Sequence, residues 1–240
     1  MARARTDPRK PADDAQEDAD AETADAAVEA LLERERRAQR VGRWDAECIL
    51  HSGRRVRVAH VVERARHHVA GGSGREEGDG PIHKISDKAW DYTISINLDS
   101  IFYSNRAVIQ QLMNQGTGGT ILNMSSVLGF SPSSKFFSTH AYASTKAAIV
   151  GLSKSLASYY SKYNIRINVI SPGLIATPMS KRAQSNKNIL SYIKQKQSLD
   201  GGRIGEAIDL DGAATYFMSD KSSFTTGQVL SIDGGWSVNG

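Results

Sequence analysis

The stretch Thr120-Ile121-Leu122-Asn123-Met124, set between Gly118-Gly119 and Ser125-Ser126, decides the fold. A short apolar run bounded by turn residues reads as a strand buried on both faces, the kind a parallel sheet requires. Downstream, His140 to about Lys162 has the periodicity of an amphipathic helix, and Arg166-Ile167-Asn168-Val169-Ile170 repeats the strand pattern. Upstream, Ser86 before Asp87 opens a helix. Its apolar positions Trp90, Ile94, Leu98, Phe102, Val108, Ile109 and Leu112 run on, with room for a break, to Gly116. A helix from about Glu206 to Met218 and a last strand, Gln228-Val229-Leu230-Ser231-Ile232, complete the alternation. Such alternation specifies an α/β fold, a doubly wound parallel sheet with helices on both faces.

The composition changes near residue 70. Residues 1–70 hold 13 of the 18 arginines, one of the 12 lysines and two of the 21 glycines. Residues 1–22, with Asp13, Asp14, Glu17, Asp18, Asp20 and Glu22, have too little apolar surface to fold and are expected to be disordered. Val28, Leu31 and Leu32, with Glu33 and Arg37 four residues apart and Gly42 beyond, predict a charged helix over about 23–41. Val56, Val58 and Val62 alternate like a short strand, although Arg54, Arg55, Arg57 and Arg64 would be costly inside a sheet. The chain therefore divides into an atypical segment, 1–70, and a body, 71–240.

The whole chain, 240 residues with 40% hydrophobic content and mean hydropathy −0.40, suits one α/β domain in water. It has no apolar run near the roughly 18 residues that cross a bilayer, so no membrane partner is expected. A basic N-terminus without an apolar core behind it argues against a secretory leader. The single cysteine, Cys48, excludes an internal disulfide framework and makes the cytoplasm the simplest setting. The net charge of +4 comes from scattered residues without aromatic interleaving, so nucleic acid is not an expected partner.

Tyr142 and Lys146 lie four residues apart on the predicted helix, on one face and one turn apart. A free phenol titrates near about pH 10, and a neighbouring cation loosens its proton enough for acid/base work. Alone, this spacing is more often an incidental pair on a helix surface. Its company is more informative: Asn123-Met124-Ser125-Ser126 ends the preceding strand, and Ser171-Pro172-Gly173-Leu174-Ile175-Ala176-Thr177 ends the following one. Ligands of open α/β sheets bind beyond the carboxyl ends of the strands, where these segments converge.

With these residues the chain resembles the short-chain dehydrogenase/reductase family, from about Ala70 to Gly235. The likeness is carried by Ile96-Asn97-Leu98, Asn123-Met124-Ser125-Ser126, Tyr142 with Lys146, Asn168-Val169-Ile170-Ser171-Pro172-Gly173, and Thr226-Gly227-Gln228 leading to Asp233-Gly234-Gly235. The resemblance implies a Rossmann-like sheet and a hydride transfer between NAD or NADP and a secondary alcohol or ketone. Tyr142 would be the proton donor or acceptor, Lys146 its electrostatic partner and holder of the nicotinamide ribose, and Ser126 the group orienting the substrate oxygen. Asn97 would hold a relay water through its backbone. Pro172, Gly173, Ile175 and Thr177 would meet the nicotinamide, and Ala70-Gly71 would keep part of a cofactor-side segment whose two asparagines are replaced by His68 and Val69. The spacing from Ser126 to Tyr142 is three residues longer than the family leads one to expect, and Ser125 is a rival for the serine role. Met179 to about Leu199 stands where the family places a substrate lid. The long helices imply a homodimer or homotetramer.

Residues 1–70 lack the glycine-rich turn that cradles a pyrophosphate, and Gly71-Gly72-Ser73-Gly74 does not open a helix, so the sheet is expected to be incomplete on its N-terminal side. A truncated enzyme joined to foreign sequence, an upstream frame error and a natural variant without cofactor binding all account for this. The rival function is accordingly a subunit that oligomerises without binding cofactor. His51, His60, His67 and His68 lack acidic or thiol partners at ligand spacing, so no metal site is expected. Trp90, Tyr92 and Phe102 follow helical spacing and read as core and interface side chains.

Overall fold

The computed structural model describes residues 46–50, 58–63, 80–137 and 139–239. By contacts the chain divides into Met1–Arg43 and Trp44–Gly240, and the described residues all belong to the second unit. The expectations for 1–22 and 23–41, and those for Ala70 and Gly71, lie outside the described residues.

In chain order the elements are β1 (Ala46–Leu50), β2 (Val58–Glu63), α1 (Asp87–Ile94), α2 (Ser100–Gln115), β3 (Gly119–Met124), α3 (His140–Tyr160), β4 (Ile165–Pro172), α4 (Lys181–Ser185), α5 (Lys187–Lys196), α6 (Ile208–Met218) and β5 (Val229–Ile232). The sheet order follows the numbering, β1-β2-β3-β4-β5. β2 through β5 are parallel, with Val58 opposite Thr120, Gly119 opposite Ile165 and Val169 opposite Val229. β1 runs antiparallel to β2, Ala46 opposite Glu63, which sequence periodicity does not foresee.

The alternation of side chains along a strand builds two cores. Ile121, Ile165 and Ile167 face α2 and α3, where Val108, Ile109, Leu112 and Ala157 close over them. Leu122 and Ile170 point the other way, onto Phe217 of α6. Both faces of β3 and β4 are thus covered, which is why isoleucine and leucine recur on both sides of these strands and their polar residues must find partners inside the protein. Two glycines make the α2–β3 turn possible. Gly116 ends α2 in the left-handed region with φ 66, its N–H donating to the Leu112 carbonyl. Gly118 passes so close to the next connection that a Cβ would sit 2.5 Å from the Asn164 carbonyl oxygen.

The expected long helix from Ser86 to Gly116 is continuous but changes pitch. Ser86 caps α1 by accepting from Ala89 N, and Ser95–Asp99 winds as a π-helical segment between α1 and α2. Trp90, Tyr92 and Phe102 do not enter the core in this chain. They are 37%, 55% and 45% exposed, because α1 and α2 turn Ala89, Ile101, Val108 and Leu112 inward instead.

Beneath the strand ends lies a polar knot. Asn105 on α2 and Asn123 on β3 exchange side-chain amide hydrogen bonds, Nδ2 to Oδ1, at 3.0 and 3.2 Å. Asn123 Nδ2 also donates to Ser153 Oγ on α3 at 2.9 Å, and Asn105 Nδ2 to the Ile101 carbonyl at 2.8 Å. All three side chains are buried, so each hydrogen bond lost leaves a group that water cannot reach. Asn123→Ala is expected to destabilise the protein by about 2 kcal/mol, with Asn105→Ala less than additive on top of it. Urea unfolding of the two single variants and the double variant measures this. Full additivity would show that the knot is not a unit.

Candidate active site

Ser126, Tyr142, Lys146 and the turn after β4 meet at the carboxyl ends of β3 and β4. α3 presents Tyr142 and Lys146 one turn apart. Lys146 is 1% exposed, and its Nζ donates to the carbonyl of Met124, the last residue of β3, at 3.2 Å. Burying an ammonium costs several kcal/mol unless its donors are satisfied, so this hydrogen bond fixes where the charge can sit. It lies 5.3 Å from the centroid of the half-buried Tyr142 ring. Two side chains with different exposures result, a wholly buried cation and a half-buried phenol.

The two serines have different surroundings. Ser125 is 2% exposed and its Oγ donates to the Lys146 carbonyl at 2.8 Å, while its N–H donates to the Ile170 carbonyl at 2.8 Å. It joins β3, β4 and α3 and has its hydroxyl proton committed. Ser126 is extended, and its Oγ accepts from Leu128 N at 3.3 Å, capping a 3-10 turn over Val127–Gly129. As an acceptor there, its hydroxyl proton is still available to a ligand. The turn presses on α3 so closely that a Cβ on Gly129 would lie 2.8 Å from Ala147 N. Asn97, 6% exposed, falls in the π-helical segment that packs against α3. π-turns interrupt the regular carbonyl ladder and are frequent at functional sites.

The turn after β4 is held at several points. Gly173 N donates to the Ile232 carbonyl at 3.0 Å, and Ile175 bridges to Gly205. Thr177 N donates to Ser180 Oγ at 3.0 Å, and the Thr177 carbonyl accepts from Gln184 Nε2 at 2.8 Å. Gln197, a buried residue absent from the sequence-based expectations, grips the turn's centre. Its Oε1 accepts from Leu174 N at 2.5 Å and its Nε2 donates to the Leu174 carbonyl at 3.2 Å. Nothing in the polar lid sequence distinguishes Gln197 from its neighbours, because its role depends on a contact across 23 residues.

The lid segment folds as α4 and α5 and lies on the residues after Ser126. Ala183, Ile189 and Ile193 pack with Val127 and Trp236. The loop that lengthens the Ser126–Tyr142 spacing is fastened to this lid, with Ser133 Oγ 2.9 Å from Tyr192 Oη and the Phe136 ring 5.6 Å edge-on from Tyr192. Trp236 donates its Nε1 hydrogen to the Ser131 carbonyl at 3.0 Å. These aromatic contacts are a second feature that sequence patterning misses.

The described residues contain no helix long and apolar enough to cross a membrane. They hold no cluster of three His, Cys, Asp or Glu side chains able to bind a metal.

The sequence family described as Enoyl-(Acyl carrier protein) reductase matches residues 65–237. Among curated relatives, the 2-dehydro-3-deoxy-D-gluconate 5-dehydrogenase of Dickeya dadantii (strain 3937) is 33% identical over 156 residues, 64% of this chain and 58% of that protein. Among solved structures, 4-hydroxyisoleucine dehydrogenase complexed with NADH is 34% identical with a TM-score of 0.63, covering 70% of this chain and 67% of that one. A gluconate 5-dehydrogenase from Burkholderia cenocepacia J2315 in complex with NADP and tartrate is 28% identical with a TM-score of 0.60, covering 66% and 60%. The chain spans a little over half the length of the curated relatives it matches, 58% and 53% for the first two.

The environments of the two serines separate them by experiment. Ser125→Ala is expected to cost about 1–2 kcal/mol of stability, by leaving the Lys146 carbonyl short of a buried donor. Ser126→Ala removes only the long 3.3 Å cap on Leu128 N and should cost about 0.5 kcal/mol, the low end for a lost cap, while lowering turnover. Thermal melts and steady-state rates on both variants check this, and the reverse pattern would exchange the two roles.

Proposed function

We propose, for a chain that belongs to the short-chain dehydrogenase/reductase family, that it transfers a hydride between NAD or NADP and a secondary alcohol or ketone. The observation that carries this reading is the buried Lys146 ammonium 5.3 Å from the ring of the half-buried Tyr142.

The nicotinamide end of such a cofactor fits the residues present. Ser171 Oγ is buried without a hydrogen-bond partner in the residue just before Pro172-Gly173, where an amide or hydroxyl of a bound group would satisfy it. Pro172, Gly173, Ile175 and Thr177 would hold the nicotinamide, and Tyr142 and Lys146 its ribose. For the pyrophosphate, no glycine turn opens a helix after a strand among the described residues, and β1 is antiparallel where a strand–turn–helix unit needs a parallel one. When bound, the cofactor supplies or accepts the hydride.

The chain's residues do the rest. In reduction Ser126 donates a hydrogen bond to the carbonyl oxygen and orients it. Tyr142 gives its phenolic proton to that oxygen as the carbonyl carbon gains the hydride, so the product is a neutral alcohol. Lys146 stabilises the phenolate left behind, and its burial strengthens that effect by excluding water. Asn97, in the π-segment against α3, positions a water that returns a proton to the phenolate. Oxidation runs the same steps backwards.

The antiparallel β1 favours one rival, a subunit that assembles without turning over cofactor. Under both readings the exposed face of α2 supports a homodimer or homotetramer, since Arg106 stacks over Phe102 and Tyr103 at 5.3 and 5.1 Å and leaves both rings at the surface. With one cysteine in the chain, the cytoplasm is the setting proposed.

Tyr142→Phe is expected to lower turnover by about 10²–10⁴-fold, the range of a lost general acid, while the affinity for NADH or NADPH moves only a few-fold. Nicotinamide fluorescence titration and steady-state assay give the two numbers. Saturable cofactor binding by the parent chain supports the enzyme, and its absence from folded protein favours the rival. Light scattering after size exclusion should give at least twice 26.1 kDa, and Phe102→Glu should return the monomer.

A further inference from the structure

Between Asp99 and Asp200 the chain contains no aspartate or glutamate, against eleven lysines and arginines. That span carries the strand ends, the Ser126–Tyr142 loop and the whole lid. Lys146 and Arg166 are used internally, but Lys135, Lys181, Arg182, Lys187 and Lys194 are exposed, all on the loop or the lid. Among the described residues, no carboxylate lies within ion-pair distance of these five. Three of the carboxylates that follow are engaged elsewhere. Asp200 and Asp209 pair with Arg203, and Asp233 accepts from the amides of Gly235 and Ser237.

Two of the cations are held at the loop itself. Ser133 Oγ donates to the Lys135 carbonyl at 2.6 Å and accepts from Lys135 N at 3.2 Å, which fixes that residue's backbone. Arg182 Nη2 donates to the carbonyl of Phe136, the residue after Lys135, at 3.3 Å, which brings the guanidinium to the backbone of this loop. Phe136 has φ 65, a conformation a bulky side chain adopts only under constraint. The Tyr192 ring and the Arg182 hydrogen bond are that constraint. The loop between Ser126 and Tyr142 is thereby locked to the lid at a point where both segments carry an exposed cation, Lys135 on the loop and Arg182 on the lid. A surface that carries one sign of charge concentrates ligands of the other sign.

We propose that the substrate is a small anion, an alcohol or ketone bearing a carboxylate or phosphate, and that Lys135 and Arg182 receive its charged group while the reacting carbon lies at Ser126 and Tyr142. The proposal rests on the hydride-transfer reading for the position of the reacting carbon, but binding alone tests it.

The full chain, with saturating NADH and without, is titrated by ligand-observed NMR with 4-oxopentanoate, its uncharged methyl ester and glycerone phosphate. At least one anion is expected to bind about fivefold or more tightly than the ester, the size two exposed charge pairs supply. The preference should shrink between 20 and 200 mM salt, as screening requires. It should vanish in Lys135→Gln/Arg182→Gln and return in Lys135→Arg/Arg182→Lys, with ester affinity unchanged throughout. Carboxylate and phosphate are told apart by which probe binds. Equal affinity for ester and anions, a preference that survives the double glutamine variant, or no binding of any probe to folded protein would overturn the proposal. Selective anion binding without turnover would count against hydride transfer and leave this inference standing, whereas turnover of the ester as fast as of the acid would do the opposite.

Discussion

The fold turns on a side-chain amide pair that has no access to water. Asn123 stands in β3 with both neighbouring faces of the sheet covered, and a carboxamide there must find partners inside the protein. It finds them on α2 through Asn105 and on α3 through Ser153. Apolar contacts would let these helices slide by a fraction of a turn at little cost, whereas hydrogen bonds allow one register. Lys146 lies on the same helix as Ser153, seven residues before it. Fixing Ser153 against β3 therefore fixes where the ammonium meets the Met124 carbonyl.

Around that anchor the site is assembled from segments with separate supports. Ser125 joins β3, β4 and α3, Gly129 lets the turn after Ser126 lie on α3, and Gln197 clamps the turn after β4. Ser125 and Gln197 are buried with their polar groups bonded internally, Ser126 is buried with only its acceptor side engaged, and Tyr142 is half-buried. Buried, internally bonded supports of this kind hold the side chains they carry in one geometry. The lid continues the pattern, since its apolar face rests on Val127 and Trp236 and its cations point outward.

The cofactor side is built differently. In the family to which the chain belongs, a parallel strand and glycine turn precede the segment that β2 represents. Here β1 returns antiparallel, Ala46 beside Glu63. An antiparallel neighbour needs only a short connection, a parallel one needs a crossover of a dozen or more residues, and only seven residues separate Leu50 from Val58. Chain length between the two strands thus excludes the parallel arrangement. The same arithmetic explains why the sequence pattern, which shows alternation but not direction, did not reveal it.

The sequence by itself determined the alternation of strands and helices from Ser86 onward, the positions of Tyr142, Lys146 and Ser126 at strand and helix ends, and the loss of the glycine turn. These are properties of local periodicity and short motifs, legible because the 3.6 and 2.0 residue repeats and the strand-end rule act over a few residues. Tertiary structure alone decided which of two adjacent serines keeps a free hydroxyl proton and that Asn97 sits in a π-turn. It also turned Phe102 outward, chose Gln197 to clamp a turn 23 residues away, and bonded Arg182 to the Phe136 carbonyl. Those outcomes depend on which buried polar groups find partners across long separations, and a contact of that kind leaves no periodic trace in the chain.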